Sequence, residues 1–286
     1  MQCVMLFIDK SSAEQAQPLG VPTRRRFCAL LPSAGWALAG GSMLTACGSV
    51  PPAGGGAVMG SVTPFSVARE GGPLPPGWRP YILRPDRVRT AYELVRREGQ
   101  VVLQARAESA SSGLHCVVDI DAQRLPWLRW RWRADAVSPK ANVADDDAED
   151  TPARLVVAFA GDMTRLRLRD RLFFEQVELF TGNVLPYATL TYVWDGSAAT
   201  GSVLPYPRSS RIRYQVVESG SDNAGRWLAY ERNVLDDYQR IFGEPVSGHI
   251  SSVGLMTDSD DLKNRAEAWY GDIGLHAERE GGVNPA

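Results

Sequence analysis

Cysteine and histidine are scarce, with four and three in 286 residues. That leaves little material for a zinc site. The net charge of −2 and the pI near 6.0 give no electrostatic footing for nucleic acid. Beyond residue 60 the chain has no uncharged apolar run of the roughly 18 residues that a membrane-crossing helix needs. It has no Gly-x-Ser-x-Gly elbow, no His-Glu-x-x-His and no internal repeat. The first two absences remove two common hydrolase signatures. What remains is a globular composition, 44% hydrophobic and 22% charged.

The first sixty residues read as an address. Thr23-Arg24-Arg25-Arg26-Phe27 resembles a twin-arginine export signal, with Arg24 and Arg25 as the pair. More than twenty residues precede it, which departs from the usual pattern. A weakly apolar stretch from Phe27 to Met43 follows, and then Leu44-Thr45-Ala46-Cys47 matches a lipobox. Cleavage there would make Cys47 a lipidated N-terminus that anchors the chain without spanning the membrane. Gly48 in place of aspartate favours the outer over the inner membrane, with the protein facing the periplasm. Ser49 to Gly60, rich in proline and glycine, reads as a tether. The expected organisation is a signal over residues 1–46, a lipidated tether over 47–61, one domain over 62–280 and a disordered tail over 281–286. After cleavage Cys116 is the only other cysteine, so the fold has no internal disulfide.

From Trp78 onward, short alternating segments recur between turn residues. The clearest is Leu128-Arg129-Trp130-Arg131-Trp132-Arg133, which puts Leu128, Trp130 and Trp132 on one face and the arginines on the other. Leu114, Cys116, Val118 and Ile120 alternate in the same way. Further strands are expected over 90–95, 100–107, 154–160, 189–194, 210–218, 226–233, 249–256 and 266–275. Helical spacing appears over 164–180, and again over 235–242 before a Gly243 stop. This pattern predicts an all-β, antiparallel β-sandwich, jelly-roll-like, with one or two short helical insertions.

Five segments stand out as motifs. They are the Trp-Arg-Trp strand at 130–132, the acidic turn Asp145 to Asp147 before Leu155 to Phe159, and Tyr192-Val193-Trp194. Met256-Thr257-Asp258-Ser259-Asp260 and Tyr270-Gly271-Asp272-Ile273 complete the set. Together they are similar to the motifs of the domain of unknown function 3047 family, and the resemblance covers roughly residues 80 to 275. It implies no activity and no catalytic residues.

Candidate sites are few. The acidic turns 145–150 and 258–261 each concentrate oxygen ligands, and Asp258, Asp260 and Asp272 are the candidates to hold a structural Ca2+, the only cofactor the sequence suggests; solvated turn aspartates are the simpler reading. Arg129, Arg131 and Arg133 would line one sheet surface and could grip an acidic sugar. Cross-strand pairing with Asp119, Asp121 or Glu231 would occupy them instead. Trp127 and Trp227 fall on the outward phase and are the candidates for stacking on a sugar ring. Asp237, Glu231, Glu175 and Asp195 are the carboxylates from which a glycosidase pair could be drawn. The leading expectation is a non-catalytic module at the cell envelope that binds carbohydrate or another envelope component. A glycan-active enzyme and an envelope protein scaffold remain as alternatives. Neither nucleic acid nor a membrane contact other than the lipid anchor is expected.

Overall fold

The computed structural model describes residues 61–280, apart from 83 and 146. The expected signal with Arg24 and Arg25, the lipidation site Cys47, nearly all the tether and the tail from 281 lie outside the described residues.

Two sheets face each other in an antiparallel-rich, jelly-roll-like β-sandwich. One holds seven strands in the order β1 (Trp78–Tyr81), β4 (Ser111–Ile120), β11 (Ile250–Asp258), β6 (Ala153–Phe159), β7 (Ala188–Asp195), β9 (Ile212–Ser219) and β8 (Val203–Pro205). The other runs β10 (Leu228–Asn233), β5 (Trp127–Ala134), β12 (Arg265–Tyr270), β3 (Gln100–Glu108) and β2 (Ala91–Arg97), with β13 (Gly274–His276) also paired to β5. All pairs are antiparallel except β7 with β9. Between those two the chain runs through β8, which pairs back on β9.

The inward side chains carry the fold. On β5 every second residue is buried, so Leu128, Trp130, Trp132 and Ala134 enter the core while the arginines point out. Trp130 stacks on Tyr230 at 5.0 Å and meets Tyr192 of the facing sheet at 5.1 Å. These rings bridge the two layers, and aromatic residues bury the largest apolar areas of any side chains. Cys116 is also buried, and burial pushes its thiol pKa up. It is part of the packing.

Both helices form where helical spacing interrupts the strands. Helix α1 (Leu168–Thr181) follows a short 3-10 turn at Met163–Arg165 and ends on Gly182 in the left-handed conformation. Helix α2 (Val234–Phe242) is capped by the Asn233 side chain, which accepts from two backbone N–H groups, and ends on left-handed Gly243. The expected strand over 266–275 is broken in two. Gly271 donates its backbone N–H to Arg131, and a Cβ there would lie 2.5 Å from the Arg131 side chain. The chain therefore leaves the ladder for Gly271 to Ile273 and rejoins β5 as β13.

Candidate functional site

The outer face of the six-stranded sheet carries the arginine row, and its arginines are occupied. Arg129 bonds Glu231 at 2.7 Å and also reaches Glu280 and the Glu278 carbonyl. Arg131 donates to Gln100 at 2.5 Å and lies 4.7 Å from the ring centre of Trp227. Arg133 bonds Asp135 and leans over Trp269. The Glu231 pairing is the cross-strand alternative anticipated for this face. The two stacking candidates are also covered: Trp127 and Trp227 are half-buried, with Arg279 over the Trp127 ring. This face is held together by its own charges.

The acidic turns do not form the expected trio. Asp258 and Asp260 come together with Asp150, each offering an oxygen within 4.8 Å of the others. Asp272 is elsewhere, accepting both the backbone N–H and the hydroxyl of Ser66. Nor are the clustered aspartates solvated turn residues, because all three are buried. Asp150 accepts from the Asp261 and Leu262 amides, and Asp258 accepts from the Thr151 amide and Arg154. Arg87 stands 3.5 Å from Asp260. With amide and guanidinium donors already in place, the set does not fit calcium, which wants six to eight oxygens around it.

Asp261 at the edge of this cluster is half-buried, and its Oδ1 meets no donor. Burial and the nearby Asp260 and Asp150 charges push its carboxyl up to about 7. The unfolded chain ionises this group near 4, so its penalty on folding grows from about pH 4 to 7 and is constant above. Asp261→Asn should therefore stabilise the protein on the order of 1 kcal/mol at pH 8 and hardly at all at pH 4, partial solvation keeping the gain small. Thermal unfolding at the two pH values checks this; an equal shift at both would contradict it.

A groove on the opposite side of the molecule was not anticipated. It crosses the outer face of the seven-stranded sheet and encloses about 390 Å3. Its floor is built from small residues, with Ala158 on β6, Thr189 and Thr191 on β7, and Ser252 and Gly254 on β11. Tyr81 on β1 and His115 on β4 form one wall, their rings 5.2 Å apart. Asn183 to Pro186, the segment after α1, forms part of the other. Burial, with Arg79 nearby, lowers the His115 pKa, so the ring is neutral at pH 7. The groove touches strands from β1 to β9, six strands wide, or about 24 Å at ordinary strand spacing.

Arg154 closes one end. It points out of β6 yet is 3% exposed, because residues 149–151 fold over it. Its guanidinium bonds Glu149 at 3.0 Å, Asp258 at 2.7 Å, the Thr151 hydroxyl and the Glu149 carbonyl. Tyr214 donates its hydroxyl to the same Glu149 oxygen at 2.7 Å. Asp258 is nevertheless pushed up, by burial and by the Asp150 and Asp260 charges that Arg154 only partly offsets.

None of the four glycosidase candidates lines this groove. Asp237 is enclosed by Arg232, Arg240 and Tyr192, and Glu231 by Arg129 and Arg279. Asp195 accepts from the amides of Val143, Ser197 and Ala198, while Glu175 lies exposed on α1. The two-carboxylate geometry has no members among the described groove residues.

The motifs that resemble a known family lie on β5, β6, β7, β11 and β12 and surround the core and the groove. A family model described as "Protein of unknown function (DUF3047)" matches residues 76–274. The chain belongs to that family. No curated protein sequence matches this DUF3047 member. Among solved structures, a carbohydrate-binding module specific for non-crystalline cellulose, CBM28, is similar over 75% of this chain and 93% of its own, at 10% identity and TM-score 0.36. The module CtCBM11 is similar over 78% of this chain and 98% of its own, at 13% identity and TM-score 0.32. The agarase AgWH50C is similar over 77% of this chain, which spans 25% of the agarase, at 11% identity and TM-score 0.31. What the DUF3047 groove can bind is set by its own residues.

Those residues offer hydroxyls, an amide and ring faces. The sequence signal was present but easily read as burial. Outward positions on β6, β7 and β11 carry Val156, Ala158, Thr189, Thr191, Ser252 and Gly254. An outward sheet face normally alternates to charge; here Arg154 and Asp258 pair with each other at one end, and the uncharged stretch beyond them marks a covered or ligand-bearing surface.

Proposed function

We propose that this chain is an exported, lipid-anchored binding module of the cell envelope whose groove takes a neutral glycan segment without cleaving it. The observation that carries the reading is the composition of the groove. Ring faces of Tyr81 and neutral His115 suit the C–H face of a sugar, while Thr189, Thr191, Ser252 and Asn183 offer hydroxyl and amide partners. Arg154, the one cation among the described lining residues, is neutralised from behind by Glu149 and Asp258, so a charged sugar gains little there. A cleft of about 390 Å3 lies in the usual range for small-ligand sites. Export and anchoring at Cys47 rest on the order of the arginine pair, apolar stretch and lipobox; intact mass of the envelope-extracted chain should show a diacylated Cys47 at its start.

Thermal unfolding with neutral and acidic polysaccharides tests the groove. A ligand at 100 times its dissociation constant should stabilise the fold by about 2.7 kcal/mol. A rise with a neutral glycan such as a soluble β-glucan or agarose oligosaccharide is expected. A rise with acidic polysaccharides alone, or with none of the panel, would sink the proposal.

A further inference from the structure

Helix α1 presents apolar residues on both of its faces. Phe173, Phe174 and Val177 pack inward, and Asp170 pins the helix by accepting from the Ser209 hydroxyl and from the amide and hydroxyl of Ser210. On the far side Leu168 is 68%, Leu172 56% and Leu179 79% exposed. At 100° per residue these three leucines fall within about 40° of one another, opposite the buried face. Met163 before the helix and Val184 after it, at 39% and 70%, extend the exposed apolar surface. An exposed apolar stripe on a helix marks a contact with a partner or a membrane, and nothing in this chain's described residues covers this one.

The charge around that stripe indicates what covers it. Arg165, Arg167, Arg169 and Arg171 are all exposed, and among the described residues none forms an ion pair with a carboxylate. Arg169 and Arg171 flank the leucine stripe on opposite sides and donate only to backbone carbonyls, those of Pro207 and Thr164. Elsewhere the arginines are commonly matched, as Arg129, Arg154, Arg211 and Arg232 are. Glu175 and Glu178 lie in the second half of the helix surface; in the first half and the turn before it the exposed charges are these four arginines and Asp162, which leaves the patch net positive. In a chain of net charge −2, an isolated basic patch around projecting leucines has the make-up of an interfacial helix.

We infer that the first half of α1, with Met163, Leu168 and Leu172 set among Arg165, Arg167, Arg169 and Arg171, lies on an anionic lipid surface. The leucines would enter the headgroup boundary while the guanidiniums bind lipid phosphates bidentately. This contact is separate from any lipid on Cys47 and does not depend on what the groove binds. It would fix which side of the sandwich faces the bilayer.

The test is vesicle flotation with the full chain carrying Cys47→Ser, so that no attached lipid contributes. Binding should be tighter to phosphatidylcholine vesicles containing phosphatidylglycerol than to phosphatidylcholine alone, and should weaken as salt rises. Arg165→Gln with Arg167→Gln, which breaks no bond to the fold, should weaken binding to the anionic vesicles about thirty-fold, at roughly 1 kcal/mol per arginine. Leu168→Gln with Leu172→Gln should weaken it at least about tenfold. Near-ultraviolet circular dichroism confirms that each variant is folded. Equal binding to neutral and anionic vesicles, or folded variants that bind as the parent does, would overturn the inference. So would concentration-dependent dimerisation abolished by the leucine changes, which would assign the stripe to a second copy of the chain.

Discussion

Arg154→Ala is expected to cost about 3–5 kcal/mol of stability, because it removes the guanidinium that two buried carboxyl groups and the Glu149 carbonyl share. Glu149 and Asp258 are 1% and 2% exposed and lie 3.0 and 2.7 Å from the guanidinium. Neither can turn to water without moving residues 149–151, whose hydrogen bonds to Asp258 and Arg154 would be lost together. Against a typical total of about 5–15 kcal/mol, this change brings the fold close to its limit. Arg154→Lys keeps the charge but reaches fewer of the four acceptors, so it should fall between parent and alanine. Urea unfolding midpoints decide the matter. A loss below about 1 kcal/mol for alanine would mean that the network contributes little.

Asp237→Ala should be nearly as costly, about 3–5 kcal/mol, and its cost should depend on pH. The Asp237 carboxylate bonds Arg232 at 2.6 and 2.8 Å, Arg240 at 2.7 Å and the Tyr192 hydroxyl at 2.9 Å. It thereby ties α2 to β7 and β10. Burial works against its charge, but the hydrogen bonds and charge of Arg232, with help from Arg240 and Tyr192, hold its pKa below the usual range. The sign follows from that depression. The charge-dependent part of the stabilisation is fully present above the unfolded value near 4 and is lost as pH falls through the lower folded value. The gap between parent and variant should be constant from about pH 5 to 8 and narrow below pH 4. A gap that widened on acidification would contradict this account.

The sequence exposed the sandwich wherever one face was buried and the other charged. Leu128 to Arg133 is the clearest case, since alternation of tryptophan and arginine admits only one orientation of the strand. Both helices were visible too, because their spacing breaks a period of two and each ends at a glycine. What remained hidden depends on partners distant in sequence. Asp258 and Asp260 look like turn aspartates until Asp150 and Arg154, more than a hundred residues earlier, are folded against them. For Arg129 the sequence offered Asp119, Asp121 and Glu231 as partners, and only the strand order picks out Glu231. The groove was missed for another reason. Thr189, Thr191, Ser252 and Gly254 are small and uncharged, and small uncharged residues in a strand signal burial as readily as a binding floor. Only the order of strands, which places β4, β11, β6 and β7 side by side, shows that they share one surface.

Ligand is expected to enter over the seven-stranded sheet and not over the arginine row. Isothermal titration of the tightest-binding neutral glycan into the parent, Thr189→Trp and Trp227→Ala tests it most directly. Thr189 is a half-buried floor residue, so an indole there would fill the groove. Trp227 stacks under Arg131 on the opposite face. The account predicts that Thr189→Trp removes measurable binding while unfolding at nearly the parent temperature, and that Trp227→Ala binds within about twofold of the parent, a difference of roughly 0.4 kcal/mol. Binding retained by Thr189→Trp and lost in a folded Trp227→Ala would place the ligand on the arginine face and contradict the account.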